Sequence, residues 1–86
     1  MDELLNKLYD MFISIDNRDD CANLLSDLCT YKEVENMAQR LKAAELLLDG
    51  YTYSQVLAEL NISSATLSRV SKCVQYGKGY SKLIKK

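Results

Sequence analysis

An all-α domain of five to six helices, ending in a C-terminal helix-turn-helix, is the fold class the sequence predicts. Three observations predict it. The 86 residues include no proline and three glycines, Gly50, Gly77 and Gly79, so turn signals are few and helices with short connections suit the chain better than many strands. Apolar side chains recur at helical spacing along most of the chain. The sparse polar punctuation sits where helix ends need it, in two Thr-x-x-Glu/Gln boxes and in glycines placed after apolar runs.

The first segment, Asp2 to Ile15, carries Leu4, Leu5, Leu8, Met11, Phe12 and Ile15 on one wide stripe, with Ile13 on the opposite face. That is more apolar surface than a lone surface helix needs, and it predicts burial on two sides, against a second chain. The second segment, Asp19 to Cys29, buries Cys21, Leu24, Leu25 and Leu28, with Asp19 or Asp20 as its cap. The third opens at the box Thr30-x-x-Glu33 and runs through Val34, Met37, Ala38, Leu41, Ala44, Leu47 and Leu48 to a stop at Gly50. The box Thr52-x-x-Gln55 starts a short helix with Val56, Leu57 and Leu60. Asn61-Ile62-Ser63 is long enough only for a tight turn, in which Asn61 can take the left-handed conformation. Ser63 or Ser64 caps the next helix, which ends at Gly77. The tail from Tyr80 has room for a last turn or two.

The two short helices and their turn read as a helix-turn-helix. Val56, Leu60, Ile62, Leu67 and Val70 supply its small core, although Leu57 stands where a small residue is usual. On a helical wheel Leu67, Val70 and Val74 point inward, while Ala65, Ser68, Arg69 and Lys72 point away. A face that is short-chained first and cationic further on suits a recognition helix. Its N-terminal residues approach base edges, and its cations reach phosphates. Ser64, Ala65, Ser68, Arg69 and Lys72 are the expected DNA-binding residues.

Charge separates along the chain. Residues 1–50 hold five Lys/Arg against eleven Asp/Glu, a balance of −6, whereas residues 51–86 hold six against one, a balance of +5. A basic half is the footprint expected of a polyanion binder. Other function classes are poorly served. With no histidine and three cysteines lacking a C-x-x-C spacing, a zinc site is not expected, and the cysteines read as buried, reduced thiols of a cytoplasmic protein. Neither a phosphate loop nor a nucleophile motif points to an enzyme. The N-terminus does not read as a signal peptide, and no run approaches the 18 apolar residues of a membrane span.

Beyond this physical reading, the stretch from Leu46 to Lys72 resembles the helix-turn-helix of the tryptophan repressor family, and is similar above all to its YerC/YecD group. Leu28-Cys29-Thr30, Glu33, Ala38-Gln39-Arg40-Leu41, Gly50, Thr52-Tyr53 and Ala65-Thr66-Leu67-Ser68-Arg69-Val70 carry the resemblance, which spans about residues 20 to 76. It implies an intertwined homodimer, with residues 1–50 as the helical dimerisation part of a single 1–86 domain, 51–76 as the helix-turn-helix and 77–86 as a tail or short helix. It also implies an effector pocket at Thr30, Arg40, Thr66 and Arg69. Val70 stands at the family's glycine position, where an indole lies against the backbone, and Cys73 replaces a serine. No cofactor is expected, and tryptophan least of all. The expected function is sequence-specific DNA-binding regulation, as a repressor, by a homodimer on an approximately palindromic duplex. The alternatives are a helical adaptor whose basic face meets an acidic protein, and a regulator sensing a small amino-acid-like ligand.

Overall fold

The computed structural model describes residues 1–84; Lys85 and Lys86, the end of the basic tail, lie outside the described residues. Six helices and no strand occur among the described residues: α1 (Asp2–Ser14), α2 (Arg18–Leu28), α3 (Tyr31–Leu48), α4 (Tyr53–Glu59), α5 (Ser64–Tyr76) and α6 (Tyr80–Leu83). The all-α class with a C-terminal helix-turn-helix is thus what the chain adopts. It divides into two compact units, Met1–Val34 and Glu35 onward, with the boundary inside the first turn of α3.

In the first unit, α1 places Asp2 and Glu3 in its first turn, where carboxylates complement the helix dipole. None of its residues is buried. Leu5, Leu8, Met11 and Phe12 are exposed, Leu4 is 67% exposed, and Ile13, on the opposite face, reaches 81%. The cap of α2 is Asn17 rather than Asp19 or Asp20. Its side chain accepts from the Asp20 backbone N–H at 2.8 Å, while its amide donates at 2.9 Å to the carboxylates of Asp16 and Asp20. Asn17 wins because it sits in extended backbone before the helix, as a cap must. Asp19 and Asp20 occupy the first turn instead. Cys21 and Cys29 are half-buried, not buried, and with Arg18, Leu25 and Val34 they line an open cavity of about 390 Å³.

The box that opens α3 forms as expected. Thr30 donates its N–H to Glu33 Oε1 at 2.8 Å, and Thr30 Oγ1 accepts from the Glu33 N–H at 3.1 Å. The bonds that the Glu33 carboxyl itself accepts from Thr30, from the backbone N–H foremost and from the side chain second, hold it below the usual glutamate range. Gly50 closes α3 in the left-handed region at φ +96°. The Tyr51 N–H reaches back to Leu46 O at 3.0 Å and the Gly50 N–H to Leu47 O at 3.1 Å, the paired bonds of a Schellman motif.

The second unit holds the core. Ala43, Ala44 and Leu46 of α3, Val56 of α4, and Leu67 and Val70 of α5 form one buried cluster. Leu60, Ile62, Val74 and Tyr80 pack on its margin. The apolar residues of α3 divide between two faces: Met37, Ala38 and Leu41 lie on the exposed side, while Ala43, Ala44 and Leu46 are buried. An apolar residue reads the same in a sequence whether it faces its own core or an uncovered surface. Ser71 is also buried, which the wheel did not anticipate.

Candidate nucleic-acid interface

Capping bonds fix the helix-turn-helix locally. Thr52 Oγ1 accepts from the Gln55 N–H at 3.2 Å, and Gln55 Oε1 accepts from the Thr52 N–H at 2.9 Å, closing the box that starts α4. Leu60, the residue after α4, is extended, with its N–H on Val56 O at 3.0 Å. The turn closes without a left-handed residue. No non-glycine residue among those described has positive φ, so the expectation for Asn61 is not met. Extended backbone at Leu60 and again at Ser63 redirects the chain instead. Ser63, not Ser64, caps α5. Its Oγ accepts from the Thr66 N–H at 3.1 Å and donates to Thr66 Oγ1 at 3.0 Å. Leu57 lies outside the buried cluster.

Around α5, burial separates two faces. Leu67 is fully buried and Val70 is 2% exposed, while Ser64, Ala65, Arg69 and Lys72 are exposed. Ser68 is half-buried at the margin. The five residues named from the sequence therefore lie on one helix, four on its open face and the fifth at its edge. Beyond them, Gly77 ends α5 for a reason different from the one expected. Its φ is −81°, and its N–H donates to Cys73 O at 2.8 Å. A Cβ there would lie 2.6 Å from the same oxygen, so close approach, not a left-handed turn, requires glycine.

The residues implied as an effector pocket are only partly gathered. Arg40 and Thr66 line one polar hollow of about 130 Å³, together with Asn36, Asn61, Ile62 and Ser63. Arg69 is not among its lining residues. Thr30 belongs to the first unit, where its hydroxyl is engaged in the α3 cap. Gln39, beside Arg40 on α3, keeps its Oε1 buried with no hydrogen-bond partner among the described residues. An orphaned acceptor of this kind costs about 1–3 kcal/mol. No pattern in the sequence singled this one out.

Residues 3–86 match the family described as Trp repressor protein. The chain belongs to the Trp repressor family. It is 38% identical over 73 residues to the uncharacterized protein YerC of Bacillus subtilis (strain 168), a match covering 85% of this chain and 70% of YerC. Two solved structures share the Trp repressor fold seen here. A crystal structure from Staphylococcus aureus, described as that of a candidate Trp repressor, is 36% identical with a TM-score of 0.87, covering 92% of this chain and 80% of its own. A TrpR-like protein from Eubacterium eligens ATCC 27750 is 26% identical with a TM-score of 0.89, covering 98% of this chain and 94% of its own. The resemblance to the YerC group read from the motifs agrees with these matches. No helix among the described residues is long and apolar enough to cross a membrane.

Proposed function

We propose that this chain is a sequence-specific DNA-binding transcriptional regulator, of repressor type, which works in the cytoplasm as a homodimer. The observation that carries the reading is the division of α5, with a fully packed face and an open face that is short-chained at Ser64 and Ala65 and cationic at Arg69 and Lys72. Short side chains let a helix approach base edges, hydroxyls can donate or accept there, and the cations fall where phosphates flank the groove. Membership of a family of repressors supports regulation over catalysis.

The apolar surface that the chain leaves uncovered supports the homodimer. Both faces of α1 are open, and so are Met37 and Leu41 of α3. Monomeric soluble proteins rarely leave large contiguous apolar patches exposed. Two-fold symmetry would set two reading helices one DNA turn apart, roughly 34 Å, so that each contacts half of an approximate palindrome.

Enrichment of random duplexes on the purified protein tests the proposal. The expected product is a pseudo-palindromic motif whose half-site centres are about 10 bp apart. Recovery of no motif, at any salt concentration that permits binding, refutes the regulator and leaves the basic face to an acidic protein surface.

A further inference from the structure

Val70 bears on whether this chain can share the effector chemistry of its family. The family's name implies tryptophan, and the resemblance places the indole where glycine leaves backbone open. Here the position is a valine, 2% exposed. It packs into the cluster drawn from α3, α4 and α5 beside the fully buried Ala43, Ala44, Val56 and Leu67. Interiors this closely packed have no spare volume for a bicyclic ring. A β-branched side chain in a helix is held to one strongly preferred rotamer, so Val70 has little freedom to swing aside. The position that would be the pocket serine is Cys73, which lines a different, apolar cavity with Leu41, Tyr80 and Leu83. The polar hollow at Arg40 and Thr66, about 130 Å³, falls below the roughly 300–1,000 Å³ of ordinary ligand sites. The Ser63 and Thr66 hydroxyls at its edge are already bonded to each other. The residues present do not fit tryptophan.

We propose that Val70 does permanently what an effector does on demand: its side chain completes the core that α3, α4 and α5 share, so that the reading helix is set for DNA with no amino acid bound. A ligand shifts an equilibrium only by its differential affinity for two states. With the effector's place taken by a side chain, an amino acid has no seat beside Val70 from which to favour one state. This inference rests on the DNA-binding reading and deepens it by specifying effector independence.

Two measurements on the full chain test it. In the first, without DNA, thermal unfolding is followed with tryptophan, indole and each of the other standard amino acids at 1 mM, a concentration on the order of 100 times a 10 μM dissociation constant. The expected result is no shift with any of them. A ligand that raises the melting temperature of the native sequence overturns the inference, whatever the outcome with DNA. In the second, the affinity for the enriched duplex is measured with and without the same compounds, and agreement within about twofold is expected. A tenfold gain with an amino acid overturns effector independence but preserves DNA binding. Failure to bind any duplex under all conditions refutes the DNA reading itself, while the thermal measurement still decides the pocket. Val70→Gly, checked by circular dichroism for helix content, is expected to weaken DNA binding at least tenfold. Val70→Ala replaces it if the glycine variant does not fold. A folded variant that binds as tightly as the native chain overturns the role of Val70.

Discussion

Replacing Leu67 by alanine tests the orientation of α5, on which every statement about its outer face depends. Leu67 is 0% exposed and belongs to the central cluster. Truncation removes three carbons, worth about 0.8 kcal/mol each in transfer free energy, or about 2.4 kcal/mol together. Incomplete collapse of the resulting hole raises the cost into the range of about 2.7–5 kcal/mol. A chain of 86 residues has a total stability of about 4–13 kcal/mol, so the loss is about a fifth of the total or more. Urea unfolding at one fixed protein concentration should show a lower midpoint with an unchanged slope. The melting temperature should fall by about 10 °C or more. A loss below about 1 kcal/mol would mean that Leu67 does not face a packed interior. Arg69 and Lys72 would then lose their outward assignment too, because one rotation of the helix sets all three.

Three other expectations follow from the same structure. Lys72→Ala should weaken binding to all duplexes about equally and make the slope of log affinity against log salt less negative by about 0.9; an unchanged slope denies Lys72 a phosphate contact. Leu8→Glu, on the uncovered face of α1, should halve the mass seen by sedimentation equilibrium and abolish the rise of melting temperature with protein concentration; an unchanged mass excludes that face from the dimer. For Glu33, the folded-state carboxyl is held below its usual range by Thr30, so the stabilisation is present above the unfolded value, about 4.3, and is lost as pH falls through the lower folded value. An NMR titration should place the Glu33 midpoint below 4.3, the ordinary value, and Glu33→Gln should remove its share of the acid-side decline; a midpoint at the ordinary value refutes the capping bonds in solution.

Local chemistry made the helix ends the most legible part of the sequence. Both Thr boxes form with reciprocal bonds, and Gly50 takes positive φ as a helix stop should. These features depend on residues within four positions of one another, which a sequence displays directly. The inward residues of α5 were legible for a related reason: Leu67 and Val70 are the only bulky apolar choices in a turn otherwise made of Ser, Thr, Ala and Arg. Which apolar residues of α3 enter the chain's own core was not legible, because apolar residues surround much of that helix, and periodicity alone cannot tell a surface left open from one that is packed. Asn17 was not singled out because Asn17, Asp19 and Asp20 are each of a type that could cap α2, and backbone conformation, not residue type, chose among them. The orphaned Gln39 acceptor was invisible, since satisfaction depends on donors far away in the chain.

The first three turns of α5 assign scaffolding and outward display to different side chains. Ser63 fastens the start of the helix, and Leu67, Val70 and Ser71 anchor its underside. Ser64, Ala65, Arg69 and Lys72 do neither task. Substitutions at those four sites can therefore accumulate with little effect on folding. The outer face is free to drift while the framework beneath it stays fixed, and a library varied only at these positions should yield mostly folded proteins.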